Sequence, residues 1–151
     1  MKMQVRTKLP GTAPMGRVTV DIELKNHRDV ILADAGQMRA DEIRTVVVAG
    51  IVDTGAASLV IPKHIATELG VPVAGEVKVR YADQRRATRS LVEDVEVHLL
   101  GRKGTHNAIV EPRRKDVLIG AIVLEDLDLV VDCKAQELRP RDPEGMFFEI
   151  D

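Results

Sequence analysis

Asp53-Thr54-Gly55-Ala56 directly follows the apolar run Val46-Val47-Val48-Ala49-Gly50-Ile51-Val52. A strand that ends in Asp-Thr-Gly can hold a carboxylate at the floor of a cleft, where it is placed to take or give a proton. The tripeptide occurs once in the chain. If Asp53 is catalytic, a chain of this size needs a second copy from another subunit, so the motif predicts an oligomer together with a reaction. Asp, Thr and Gly are also common turn residues, and an Asx turn whose carboxylate accepts backbone N–H groups accounts for Asp53 without chemistry. The context argues for more. Asp53 ends an apolar run, Gly55 permits a tight backbone approach, and Ala56 is small enough to sit against a partner. Far downstream, Leu118-Ile119 leads into Gly120 and a short helical pattern that would pass beneath the motif.

Other chemistries lack their residues. His27, His64, His98 and His106 show no metal-ligand spacing, and the single cysteine, Cys133, cannot build a thiolate zinc site. Ser58 and Ser90 sit in no Gly-x-Ser-x-Gly elbow, and Gly101-Arg102-Lys103-Gly104 lacks the spacing of a phosphate loop. No metal and no cofactor are expected. The 151 residues hold 22 Lys+Arg against 24 Asp+Glu, a net charge of -2, so no overall field draws the chain to nucleic acid. Arg113-Arg114-Lys115 is a local basic cluster with no interleaved aromatic residues, which reads as a solvated loop. The longest apolar runs, Val46 to Val52 and Val117 to Leu124, fall short of the roughly 20 residues that span a bilayer, so no membrane partner is expected. One cysteine, and a start without the apolar stretch of a secretory leader, predict a reducing, cytoplasmic setting.

The elements that must position Asp53 are mostly strands. Residues 1–16, with Pro10, Gly11, Pro14 and Gly16, read as an N-terminal arm; 17–133 form the domain; 134–151 form a C-terminal tail. Val18, Val20, Ile22 and Leu24 alternate with polar residues, the period of a half-buried strand. A turn at Asn26 to Asp29 and a short strand at Val30 to Ala33 follow, then a polar loop from Asp34 to Thr45 with one helical turn. Val46 to Val52 is a buried strand and Ser58 to Ile61 a second. Pro62 and Gly70 bracket a short helix over Lys63 to Leu69. Strands at 77–81 and 95–99 flank a hairpin tip at Ala82 to Arg86; a strand at 105–110, a helix at about 121–127 and a strand at 129–132 complete the pattern. Aromatic residues are only 2% of the chain, so the core must be aliphatic. Many short strands with turn punctuation predict a mainly antiparallel barrel or sandwich.

Taken in order, Asp53-Thr54-Gly55-Ala56, Leu59-Val60-Ile61-Pro62 before the short helix, the hairpin tip around Tyr81 to Arg86, and Val117-Leu118-Ile119-Gly120 resemble the retropepsin-like aspartic proteases. In this retroviral-type family, half-size chains dimerise to make one active site. The resemblance runs from about Arg17 to Asp132. It implies a mainly β fold, a closed barrel of acid-protease type with one or two short helices, and an aspartic endopeptidase acting on peptide or protein substrates as a homodimer. It assigns Asp53 as the catalytic aspartate, Thr54 to a bond across the dimer, and the Gly55 amide to the carboxylate. Substrate would be bound by Ala56 and by the flap residues Tyr81, Ala82, Asp83 and Gln84. Gly120 would pack against the Asp loop, although a turn glycine at a helix start fits it as well. The apolar tail Met146 to Ile150, with Met3 to Val5, would add interface strands.

The chain departs from the family at the flap, where relatives often carry glycine after Ala82-Asp83 and this chain has Gln84-Arg85. Arg85 and Arg86 could select acidic substrate groups or form a solvated hairpin tip. An alternative on the same fold is a non-proteolytic dimeric module that binds extended peptides by strand addition. A structural β-domain with an incidental turn motif is the third reading.

Overall fold

The structure, a computed structural model, describes residues 17–151. The expected arm over 1–16, and the use of Met3 to Val5 in an interface, lie outside the described residues. In strand β1 (Val18–Asn26), Val18, Val20, Ile22 and Leu24 are fully buried while the polar residues between them face outward. β1 pairs antiparallel with β2 (Thr45–Val52), from Val18↔Val52 to Lys25↔Thr45. The end of β2 runs parallel to β7 (Val117–Ile119), which meets β3 (Leu59–Pro62) at Val60↔Leu118. β3 runs parallel to β6 (Arg102–Glu111), and β6 pairs antiparallel with β5 (Arg86–Leu99). β5 returns to β1 through Glu23↔His98 to Asn26↔Val95. Six strands thus close into a ring, and the mainly β, closed barrel expected from the sequence is observed.

β4 (Val73–Arg80) lies outside the ring, paired with the other half of β5 as a projecting hairpin. β8 (Leu129–Asp132) and β9 (Glu137–Pro140) form a separate two-stranded sheet. Ile22, Leu24, Leu59, Ile61, Leu99 and Ile119 fill the barrel, and Leu69, Leu127 and Leu138 join the same aliphatic core. Among the described residues, no helix is long and apolar enough to cross a membrane.

Val30 to Ala33, expected as a strand, lies instead in helix α1 (His27–Asp34). The Asn26 side chain caps the helix by accepting from the Asp29 amide at 3.1 Å, and its own amide donates to the Leu69 carbonyl at 2.8 Å. Asp29 sits in the first turn, where the helix dipole favours an acid. The Arg44 guanidinium grips its carboxylate at 2.8 and 2.9 Å. These contacts override the strand preference of Val30 and Ile31. With α2 (Lys63–Leu69) and α3 (Ala121–Asp126), the short helices among the described residues number three where one or two were expected, besides a 3-10 turn at Ala40–Glu42. Gly70 stops α2 in the left-handed region at φ 62°, as a glycine there should.

Strand boundaries also shift: β4 and β6 start earlier than expected, β6 already at Arg102. β5, expected at 95–99, is a 14-residue strand that starts at Arg86 and is bent by a bulge between Val92 and Val95 with Asp94 at φ 61°. The tail carries β9, which the sequence did not announce; it pairs with β8 and buries Leu138.

Two buried carboxylates anchor the corner where α1 leaves β1. The Arg44 guanidinium and amide hold Asp29 below the usual carboxylate range, against the opposing effect of burial. Burial pushes Glu96 up, but the His98 and His27 rings at 2.6 and 2.9 Å outweigh it and leave it low. Both groups release protons more readily in the folded chain than in the unfolded one. Their stabilisation is therefore full above the unfolded values, near pH ~4, and is lost as pH falls through the lower folded values. Asp29→Asn is expected to lower stability by about 2 kcal/mol at pH 7, with the deficit narrowing towards pH 3. Urea unfolding across that range measures it; a deficit of constant size would remove the ionised Asp29–Arg44 pair as its cause.

Candidate active site

β2 delivers Asp53 at its end, and β7 fixes where that end lies. The Asp53 amide donates to the Ile119 carbonyl at 3.0 Å, and the Ala56 amide donates back to the Asp53 carbonyl at 3.1 Å, closing the turn. The Gly55 amide donates to Asp53 Oδ1 at 2.9 Å. Among the described residues it is the one donor to this carboxylate, and the second oxygen has none. Asp53 is half-buried, and Thr54 and Gly55 are exposed. The Thr54 hydroxyl has no hydrogen-bond partner among the described residues.

The loop is clamped from below by the start of α3. The Ala121 amide donates to the Ala56 carbonyl at 2.8 Å and the Ile122 amide to the Ala57 carbonyl at 3.0 Å. Gly120 makes this approach possible: a Cβ there would lie 2.7 Å from the Ala56 carbonyl oxygen and 2.8 Å from the Ser58 nitrogen. The apolar-Gly element thus runs beneath the motif, and Gly120 serves as both the packing glycine and the helix N-cap.

The flap residues gather separately. Tyr81, Ala82, Asp83 and Gln84 form the tip of the β4–β5 hairpin, and among the described residues no hydrogen bond joins them to the Asp53 loop. The Tyr81 carbonyl accepts from the Gln84 amide at 2.9 Å, the Tyr81 amide donates to the Arg85 carbonyl at 2.9 Å, and Asp83 accepts from the Arg85 amide at 3.0 Å. This is a three-residue loop, Ala82 to Gln84, whose last residue is left-handed, and Gln84 takes that place at φ 71°. Glycine would sit there without strain. Gln84→Gly is expected to stabilise the protein by up to about 1 kcal/mol, a rise of a few degrees in Tm on thermal unfolding. An unchanged or lower Tm would show that the Gln84 side chain offsets the backbone cost.

Tyr81 is neither core nor free. Its hydroxyl donates to Glu111 Oε2 at 2.7 Å, which raises its pKa, while Arg89 Nε holds Glu111 Oε1 at 2.6 Å. The Arg85 guanidinium stands 4.9 Å from the Tyr81 ring centre. Sequence reasoning missed Arg89 and Glu111. The signal was a basic and an acidic residue near the ends of two hairpin-joined strands, hidden because the bulge between Val92 and Val95 shifts the register. These residues line a cavity of about 470 Å³ together with Arg113 and Arg114, from the loop expected to be merely solvated.

A family model described as "gag-polyprotein putative aspartyl protease" matches residues 41–126, a span that holds the Asp53 loop, the flap and Gly120. Among solved structures, the chain is similar to the solution structure of simian foamy virus (mac) protease, with 12% identity, 52% of this chain and 80% of that chain covered, and a TM-score of 0.41. It is also similar to a foamy viral protease-reverse transcriptase in complex with an RNA/DNA hybrid, with 20% identity and a TM-score of 0.44; the match covers 64% of this chain and 11% of that one. No curated protein sequence matches. A family match over more than half of the residues, on a closed barrel that carries Asp-Thr-Gly at a strand end, gives the assignment: the chain belongs to the retropepsin-like, gag-polyprotein aspartyl protease family.

Proposed function

We propose that this protein hydrolyses peptide bonds as an aspartic endopeptidase whose active site forms between two identical chains, each giving one Asp53. The observation that carries the reading is the Asp53 carboxylate. One oxygen accepts from the Gly55 amide, as an Asx turn would on either reading; the other has no donor among the described residues, and the loop is clamped by Ile119 and Gly120, which a bare turn does not require. Two such carboxylates brought close together cannot both ionise cheaply, so the pair keeps one proton over a range of pH. The ionised member takes a proton from water as it attacks the peptide carbonyl, and the protonated member donates to that oxygen. The apparent pKa values belong to the pair and not to either copy. The exposed Thr54 hydroxyl is available to bond across the two loops.

The homodimer has further support in the tail. Arg141 Nη2 donates to the Phe147 carbonyl at 2.7 Å, and the Phe147 amide donates to Asp128 Oδ2 at 3.1 Å, so the tail is tied to its own chain up to that point. Beyond it Phe148 and Ile150 are exposed, an apolar end suited to an interface. A non-proteolytic dimeric module that binds extended peptides is the second reading; the left-handed Gln84 at the flap tip and the tie from Tyr81 to Glu111 favour it, since both restrain the flap. Incubation with a mixed peptide library from acidic to neutral pH, with Asp53→Asn as control, separates the two. Cleavage by the wild-type chain alone supports the enzyme, and binding without cleavage supports the module.

A further inference from the structure

We propose that the cavity between the flap and the β6–β7 loop binds a carboxylate side chain of the substrate, making this an endopeptidase selective for acidic peptides. This rests on the proteolytic reading above and names its substrate class. Four guanidinium groups, Arg85, Arg89, Arg113 and Arg114, line the cavity beside one carboxylate, Glu111. Glu111 is already engaged by Arg89 and by the Tyr81 hydroxyl. Arg85 is paired with Asp83 at 2.7 Å, and Arg114 Nε donates to the Asp116 carbonyl at 2.9 Å. Among the described residues, Arg113 has no ion pair and no side-chain hydrogen bond, and no carboxylate neutralises Arg114. The cavity therefore carries uncompensated positive charge on a concave surface, which concentrates the field on an entering anion. A guanidinium matches a carboxylate with two parallel hydrogen bonds.

Position ties the cavity to the candidate active site. Arg113 and Arg114 lie in the loop that runs straight into β7, and the Ile119 carbonyl at the end of β7 holds the Asp53 amide. Five residues of extended chain reach at most about 17 Å, so an extended substrate lying along this path would present its acidic residue within about five positions of the scissile bond. The occupant is a peptide rather than a nucleic acid strand, because Tyr81 is the one aromatic residue of the lining and the whole chain carries a net charge of -2.

The test compares kcat/KM for matched peptides that carry Glu or Ala within five positions of the cleaved bond. The wild-type chain is expected to prefer the acidic member by about tenfold, with the preference shrinking as salt rises. In the R113A/R114A double variant the ratio is expected to fall to about one. In R113E/R114E it is expected to invert in favour of a Lys peptide, an outcome that an unfolded variant cannot produce. Equal cleavage of the two peptides by the wild-type chain overturns the proposal. If the wild-type chain cuts no peptide, the hydrolase reading fails by itself, and fluorescence anisotropy of the labelled peptides still decides this one. Tighter binding of the acidic peptide, lost in R113A/R114A, supports the site; equal binding overturns it. Tighter binding of a single-stranded oligonucleotide of the same charge would assign the cavity to nucleic acid and overturn it as well.

Discussion

Asp53→Asn is expected to lower kcat for peptide cleavage by at least about 10³-fold, while melting temperature and sedimentation stay near those of the wild-type chain. Asparagine keeps the shape of the side chain, and its oxygen can still accept from the Gly55 amide, so the loop clamped by Ile119 and Gly120 has no reason to move. What disappears is the charge that lets two carboxylates share one proton. Undiminished cleavage by the purified variant would end the proposed mechanism. Mixing sharpens the measurement. If one site needs both copies of Asp53, an equal mixture of wild-type and variant chains that has exchanged subunits leaves about a quarter of the dimers with two intact aspartates. Activity should fall to that level; a fall to one half would mean that each chain works alone.

Gly120→Ala is expected to cost about 2–4 kcal/mol of stability and to depress activity further than the fraction unfolded explains. The added methyl group would meet the Ala56 carbonyl oxygen at 2.7 Å and the Ser58 nitrogen at 2.8 Å, both backbone atoms of the loop that carries Asp53. Backbone cannot rotate aside as a side chain can, so either α3 lifts away or the Asp53 loop is pushed out of line. Gly50→Ala is the comparison. Its new Cβ would meet Ile119 Cδ1 at 2.8 Å and Ile22 Cγ2 at 3.1 Å, flexible side-chain atoms that can yield in part. Urea unfolding of both variants, with activity assayed where each is folded, separates the effects. A Gly120→Ala protein as stable and active as the wild type would show that the loop does not depend on this close approach.

The parts of this architecture that were legible in the sequence are those written in short-range pattern. Val18, Val20, Ile22 and Leu24 announce β1 through their alternation, and Gly70 announces the end of α2 through the conformation it takes. The Asp53 motif and the apolar-Gly element were readable as an ordered pair, and the contact of Ala121 with Ala56 joins them. What stayed hidden depends on partners far along the chain. α1 reads as a strand until Arg44, 15 residues on, is seen to hold Asp29, and until Asn26 is seen to reach Leu69. β9 rests on the pairing of Leu138 with Val131, which no local periodicity marks. The basic cavity appears only after the bulge in β5 sets the register that brings Arg89 to Glu111.

The ring depends on pairings between distant residues, among them the four from Glu23↔His98 to Asn26↔Val95, about 70 positions apart, and the three from Gly50↔Val117 to Val52↔Ile119, 67 apart. Hairpins such as β4–β5 need only a short turn and can form within microseconds. The distant pairings must instead gather most of the domain before their first hydrogen bond offsets the lost chain entropy. β5 belongs to both, with its first half in the flap and its second half paired with β1. A nascent chain can therefore present a formed flap long before β1 is fastened, and in that interval the polar edge that β5 will give to β1 stands open to other chains. The slow part of assembly lies in these distant pairings, and one of them, β2 with β7, is the pairing that sets the Asp53 loop in place.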